Sequence, residues 1–399
     1  MPSKPIRFPA SQGHELAARL ELPATTPRAF ALFAHCFTCS KDSKAAAYIS
    51  QALAARGIAV LRFDFTGLGM SGGDFADSTF SSNVGDLLAA VNYLRAQHQA
   101  PQLLIGHSLG GAAVLAAAHD IAEARAVATI GSPYEPKHVA QLLKEGKDQI
   151  LAAGEAEVDI GGRPFTIRKQ FLEDLEQHDP ANTIGNLRKA LLILHSPRDR
   201  IVDINNAASI FMAAKHPKSF ISLDDADHLL SRAEDAAYAA EVLAAWASRY
   251  LAQGEERVPG VRVMETGHGK FVQDILAGRH RLRADEPESA GGTDSGPSPY
   301  ELLAAGLGAC TAMTIRMYAD HKKLPLERVT VDLAHEKIHA ADCAECETRE
   351  GRIDRIERVI TLEGDLDTEQ RARLLEIANK CPVHRTLHSE VYIPTRLVE

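Results

Sequence analysis

No surplus of positive charge is present: 44 Lys and Arg stand against 53 Asp and Glu, a formal net charge of −9. Nucleic acid and an anionic membrane surface are therefore not expected as partners. No stretch reads as the roughly 20 apolar residues of a membrane span, so none is expected. The opening residues, MPSKPIRFPASQGHELAARL, lack the apolar core of a secretory leader. The expected compartment is the cytoplasm. Cysteine is scarce, 6 in 399 residues, which argues against a disulfide framework and leaves metal or redox chemistry.

What is present is the composition of a globular protein, 45% hydrophobic and 24% charged, in a chain long enough for two or three domains. The most informative stretch is residues 101–119, PQLLIGHSLGGAAVLAAAH. Leu103-Leu104-Ile105 reads as a buried parallel strand, and it runs into Gly106-His107-Ser108-Leu109-Gly110-Gly111 and an Ala-rich helix. G-x-S-x-G between strand and helix is a nucleophile elbow: glycines permit the sharp turn that exposes the Ser108 hydroxyl at the carboxyl end of a sheet.

The chain before the elbow alternates strand and helix. Residues 6–8 and 15–20 read as an antiparallel hairpin, 29–34 as a strand, 44–56 as a helix, 58–63 as a strand and 81–98 as a helix. Such alternation implies a parallel sheet with helices on both faces. The run from His35 through DFTGLGMSGG to GHSLGG resembles the α/β-hydrolase family over roughly residues 5–252. The resemblance implies a doubly wound α/β sheet and a triad in the order Ser, acid, His. Asp199, in the loop after the strand Leu191–His195, stands where the family keeps its acid, and His228 lies in the loop after Ser219–Leu223. Asp203 is the alternative acid; Asp224, Asp225 and Asp227 lie too near His228 in sequence. His228 would take the Ser108 proton while Asp199 holds the imidazole tautomer.

Leu109, directly after the nucleophile, is expected to give one oxyanion-hole amide and Phe37 the other. Many relatives carry His-Gly where this chain has His35-Cys36. Cys36 and Cys39 also spell C-x-x-C, a spacing open to a redox or metal pair, and the favoured reading is two small residues lining the site loop. Residues 134–180 form an insertion where the family places its cap, with a helix expected over 136–152 and a hairpin around Gly161-Gly162.

A polar Gly/Pro stretch at 253–260 marks a boundary between a domain at 1–254 and a second at 258–399. Strands are expected at 261–264 and 271–275, with a turn-rich loop at 284–297. Ser298, Pro299 and Glu301 then start a long apolar helix with a capping box. Further strands are expected near 329–333 and 356–362, a helix from 367, and a final strand at 390–393. The phrases SPYELLAAGLGACTAMT and IANKCPVHRTL resemble the OsmC/Ohr family of thiol peroxidases, an α+β domain. The resemblance implies an intertwined homodimer, Cys310 as the peroxide-attacking thiolate and Cys381 as its resolving partner. A thiolate in apolar surroundings needs a cation. The family places an arginine before the long loop, which makes Arg281 the candidate, with Arg279 and Arg283 beside it. The peroxidases carry a glutamate at the second helical position, where this chain has Tyr300; Glu301 follows it. His335, His339, Cys343 and Cys346 have spacings that could hold zinc, with a solvated polar loop as the default reading.

The expected molecule is thus bifunctional: a serine carboxylesterase acting on a small acyl ester, joined to a domain that reduces organic hydroperoxides with a dithiol. No cofactor or metal is expected. The alternative is an esterase whose second half only dimerises or binds a ligand.

Overall fold

Apolar runs too short for helices build the centre of the first unit. The computed structural model describes residues 3–23, 26–35, 39–143, 146–160, 163–251, 258–267, 269–342 and 350–397. Strands β1 (Lys4–Pro9) and β2 (Glu15–Glu21) form an antiparallel hairpin at one edge. Beside it run six parallel strands: β3 (Ala29–Ala34), β4 (Ile58–Phe63), β5 (Leu103–His107), β6 (Ala126–Ile130), β9 (Ala190–His195) and β10 (Lys218–Ser222). The order is β1-β2-β4-β3-β5-β6-β9-β10. The chain steps from β3 to β4 on one side and then to β5 on the other. Open α/β sheets bind ligands at such a reversal, at the carboxyl ends of the strands.

Successive side chains of a strand point to opposite faces, so each central strand feeds two cores. Phe30, Leu32 and Ala34 of β3 join a core with α2 (Phe80–Gln97) and α3 (Leu109–Ala117). Ala29, Ala31 and Phe33 join the opposite core with α1 (Lys44–Ala55) and α8 (Ala233–Ala247). This is the doubly wound sheet expected.

The insertion holds a 3₁₀ segment at Pro136–Leu143, α4 (Lys147–Ala153), the hairpin β7 (Glu155–Asp159) and β8 (Pro164–Arg168), α5 (Lys169–Leu175) and α6 (Pro180–Gly185). The single helix expected over 136–152 is corrected to two pieces. Gly146, the N-cap of α4, is the break; a Cβ there would stand 2.6 Å from Val158. The Gly161-Gly162 turn lies outside the described residues. The insertion is tied to the sheet layer by Arg168, which pairs with Asp77, and by Asp174, which accepts from the Ser81 amide at 2.8 Å; Arg168 also pairs with Glu155 inside the insertion. α7 (Asn205–Ala213) fills the span between β9 and β10.

The chain divides into one compact unit of Met1–His268 with Asp274–Leu282 and another of Gly269–Gln273 with Arg283–Glu399. A three-stranded sheet, β11 (Val261–Glu265), β12 (Gln273–Ala277) and β13 (His280–Ala284), follows the first fold. In the second unit Asp285 organises the loop after β13, accepting from the amides and hydroxyls of Thr293 and Ser295. α9 (Pro299–Lys322) starts with the capping box read from Ser298 and Glu301. The long strands β14 (Leu326–His339) and β15 (Arg352–Gly364) pair antiparallel along their length, and α10 (Thr368–Ala378) and α11 (Pro382–Leu387) complete the unit.

Two expectations are corrected here. α9 is long and apolar enough to cross a membrane by length and composition. Core helices pass the same test, and the inner face of α9, with Leu307, Gly308, Thr311 and Ile315, is buried within its own unit. The final strand at 390–393 is not formed: Val391, Tyr392 and Ile393 are exposed, without regular structure. Alternating residues make a strand only when they pair with an edge that completes the ladder, and among the described residues 390–393 pairs with neither β14 nor β15.

Candidate active site

The elbow forms because two glycines let three backbones meet. A Cβ on Gly106 would stand 2.2 Å from the Gly110 carbonyl oxygen, and one on Gly110 would stand 2.4 Å from that of His35. With nothing at either position, α3 starts directly against β3 and β5. Ser108 between them is driven to φ 56°, ψ −127°, outside the usual range of an L residue. Its amide bonds the Ile130 carbonyl at 2.8 Å. Leu109 is the first residue of α3, where amides lack an intrahelical acceptor, and so has an N–H to offer an oxyanion.

Three side chains from three loops converge on this turn. His228 Nε2 is 3.0 Å from Ser108 Oγ, and His228 Nδ1 donates to Asp199 Oδ2 at 2.6 Å. The other oxygen of Asp199 accepts from the amides of Ile201 at 2.8 Å and Val202 at 2.9 Å. Burial pushes the Asp199 carboxyl up, but His228 and these amides more than offset it, and its pKa falls below the ordinary value. The alternative acids are engaged elsewhere. Asp203 accepts from the Asn205 amide, Asp225 pairs with Arg232, and Asp227 accepts from the Ser231 amide. Asp224 holds a positive φ in the loop before His228.

Two buried histidines fix this arrangement, and sequence reasoning gave them no role. His107 Nε2 donates to the His228 carbonyl at 2.7 Å, holding the loop that carries the imidazole. Burial, with His228 nearby, depresses the His107 pKa to about 3, so it stays neutral. His195 Nε2 donates to the Val202 carbonyl at 2.8 Å and steadies the Asp199 loop; burial depresses its pKa too. Phe37 and Cys36 lie outside the described residues. Cys39 is disulfide-bonded, which corrects its reading as a plain lining residue.

In the second unit Cys310 and Cys381 are free thiols. The Cys381 sulfur accepts from the His384 amide at 3.4 Å, with Cys310 and Thr311 as neighbours. The arginine reaching this cluster is Arg358 of β15. It donates to Thr311 Oγ1 at 2.9 Å and to Asn379 Oδ1 at 2.8 Å. Of the arginines before the loop, Arg281 sits in the first unit beside Gly57 and Arg28. Arg279 is exposed. Glu301 is taken up by its cap, accepting from the Ser298 amide at 2.7 Å.

A cleft of about 590 Å³ opens beside Arg358, lined also by Tyr300, His335, Asp354, His384 and His388. Tyr300 stacks on His335 with ring centres 4.0 Å apart, and His335 bonds Asp354 at 2.9 Å. Cys343 and Cys346 lie outside the described residues. Among the described residues no group of three His, Cys, Asp or Glu is placed to hold a metal ion.

Comparison with known proteins agrees with this division. The model of the alpha/beta hydrolase family matches residues 31–274, and that of OsmC-like proteins matches residues 292–396. A human relative, the mitochondrial palmitoyl-protein thioesterase ABHD10, is 28% identical over 157 residues, 37% of this chain. The match spans about half of that relative, 49% of its length. The solved esterase domain of a Rhodothermus marinus protein is 55% identical, covers 63% of this chain and 100% of its own, and superposes with a TM-score of 0.54. Mouse alpha/beta hydrolase domain-containing protein 10, 22% identical with a TM-score of 0.53 over 62% of this chain and 99% of its own, shares the fold. With the family match covering residues 31–274 of 399, the chain belongs to the alpha/beta hydrolase family, and an OsmC-like domain follows its hydrolase domain.

Proposed function

We propose that the first unit is a serine hydrolase that cleaves ester or thioester bonds through an acyl-enzyme. The observation that carries this reading is the unbroken chain Ser108 Oγ, His228 Nε2, His228 Nδ1, Asp199 Oδ2, with links of 3.0 and 2.6 Å. Ser108 attacks the acyl carbonyl as His228 accepts its proton, and the Leu109 amide faces the oxyanion that develops. His228 returns the proton to the leaving alcohol or thiol. Water, deprotonated by the same imidazole, then clears the acyl group. Asp199 keeps the tautomer that makes Nε2 the base and stabilises the imidazolium. The similarity to an esterase domain and to a thioesterase supports an acyl substrate.

The second unit, in the same reading, reduces organic hydroperoxides. A Cys310 thiolate attacks the terminal peroxide oxygen, an alcohol leaves, and Cys310 becomes a sulfenic acid. Cys381 displaces hydroxide from it to give a disulfide, which a dithiol reduces. The protein works in the cytoplasm as a homodimer. The rival reading, a dimerisation or ligand-binding module, is favoured by Glu301, whose carboxylate is spent on capping, and by Tyr300, stacked on His335.

The test uses wild type, Ser108→Ala and Cys310→Ser, assayed for cleavage of short-chain esters and acyl thioesters and for hydroperoxide consumption with a dithiol. Ser108→Ala should lower acyl cleavage by about 10³-fold or more and leave peroxide consumption intact. Cys310→Ser should do the reverse. Acyl cleavage unaffected by Ser108→Ala would overturn the serine mechanism; hydroperoxide untouched by every form would leave the module reading.

A further inference from the structure

Arg358 occupies a slot that the strand pattern reserves for apolar residues. Ile356, Ile360 and Leu362 share its face of β15, and each is partly buried, as Arg358 is. Its guanidinium is held by Thr311 Oγ1, by Asn379 Oδ1 and, at 3.4 Å, by the Ala378 carbonyl. All three are neutral acceptors, and among the described residues no carboxylate forms an ion pair with it. The nearest acids are committed: Asp354 binds His335 and Lys337, and Glu357 binds Arg355. A cation held only by neutral groups keeps its field for an anion that forms beside it.

That anion is the Cys381 thiolate. Cys381 is fully buried at the start of α11, and Thr311, also fully buried, lies between it and Arg358. The Thr311 hydroxyl has one proton, which now goes to the Leu307 carbonyl at 2.8 Å. With Arg358 already donating to its oxygen, the hydroxyl can turn that proton toward the sulfur when charge appears there. Burial alone opposes ionisation of Cys381. Cys310, the His384 and Val383 amides and a Thr311 hydroxyl turned toward the sulfur outweigh it, so its pKa lies below that of an ordinary thiol.

We propose that Arg358, acting through Thr311, is the positioning residue that holds Cys381 as a thiolate, ready to attack an oxidised Cys310. The step conserves atoms and charge: the Cys381 thiolate bonds to the Cys310 sulfur and hydroxide leaves the sulfenic acid. This rests on the dithiol reading of the second unit and assigns its cation to β15, away from the arginines that precede the long loop. The other titratable and charged groups on the segments that carry the thiolate and its neighbours are Cys310 on α9, Lys380 ahead of Cys381, His384 and Arg385 on α11, and His388 just after it. The His384 imidazole is depressed by its burial, by Arg358 and by His388.

The experiment is a titration of ultraviolet thiolate absorbance in the reduced full-length protein, the Cys381 step being identified by its loss in Cys381→Ser. Arg358→Gln should raise that midpoint by about one pH unit, and Thr311→Val should raise it similarly. The double variant should rise no further than the larger single effect, because both belong to one path. Arg358→Lys, which keeps the charge, should recover part of the shift. Unchanged ester cleavage and circular dichroism show that a variant is folded; if Arg358→Gln fails to fold, Thr311→Val carries the test. A midpoint unmoved in folded variants, or shifts that simply add, would overturn the proposal. Disulfide formation after one equivalent of an organic hydroperoxide is measured in parallel. If the midpoints move as expected but no disulfide forms, the peroxidase reading fails while the assignment of Arg358 stands.

Discussion

Ser108 sits at a positive φ that costs a non-glycine residue of order 1–3 kcal/mol, and the fold holds it there through the contacts of its neighbours. The residues that work in the open are the ones sequence reasoning can find. Ser108, Asp199 and His228 each follow an apolar strand in the order the fold requires, so motif and position agree. The residues that work through others are harder to see. His107 is the freely varying position of its own motif, and only the 2.7 Å bond to the His228 carbonyl gives it a role. Arg358 did leave a signal, a charge in the inward register of β15, but which groups it meets depends on where α9 and α10 end in space. Asp199→Asn should fold normally yet lower kcat for esters by about 10⁴-fold, because the amide stabilises the wrong imidazole tautomer; steady-state kinetics with circular dichroism would check it. His107 has a folded pKa of about 3 against an ordinary 6.5, so between these values the unfolded chain binds the extra proton. Its contribution to stability is therefore present above pH 6.5 and is lost as pH falls toward 3. His107→Gln should remove one proton from that linkage, flattening the pH dependence of unfolding free energy by about 1.4 kcal/mol per pH unit in this window. Denaturant melts from pH 4 to 7 would measure the slope, and an unchanged slope would exclude the assignment.

Elements were legible where periodicity and punctuation coincide. β4, β6 and β9 are apolar runs followed at once by Asp64, Gly131 and Ser196, and α9 carries its start signal in Ser298, Pro299 and Glu301. They were misread where a pattern needs something beyond the segment. The 136–152 run has helical spacing, but Gly146 must pass close to Val158 of β7, a contact no local pattern encodes. The 390–393 run alternates as a strand should, yet alternation does not say which edge it would pair with, and it joins neither β14 nor β15. Element contacts also decide which glycines matter. Gly110→Ala should push α3 off β3, because the new methyl would lie 2.4 and 2.5 Å from the carbonyl oxygens of His35 and Ala34. A loss of about 1–3 kcal/mol is expected from overpacking alone. Ester cleavage should fall further than stability does, since Ser108 and the Leu109 amide ride on the displaced turn. Thermal melts beside kinetics at a temperature where the variant is folded would separate the two effects.

The scale of the whole molecule is where an isolated chain looks least finished. In the second unit Met313 and Met317 of α9 are 66% and 73% exposed, Val359 of β15 is 55% exposed, and Tyr392 and Ile393 follow at 87% and 77%. Scattered apolar residues on a surface call for no explanation, but a face of one long helix together with an unpaired apolar strand sequence calls for a cover. A second copy of the same chain would supply both a cover for α9 and a strand partner for residues 390–393. The full-length protein should therefore sediment as a dimer. Met313→Lys with Met317→Lys should weaken that dimer, because two buried ammonium groups per protomer would face each other's apolar surface. The hydrolase unit has its own two-layered core and its triad is built entirely from Ser108, Asp199 and His228, so ester turnover per protomer should stay within about twofold of wild type in the weakened form. Hydroperoxide consumption should drop with the dimer if the copy also covers the cleft beside Arg358. Sedimentation velocity across a concentration series, with both assays run on the same samples, would decide it: a wild-type monomer at every concentration would remove the second copy as the cover of α9.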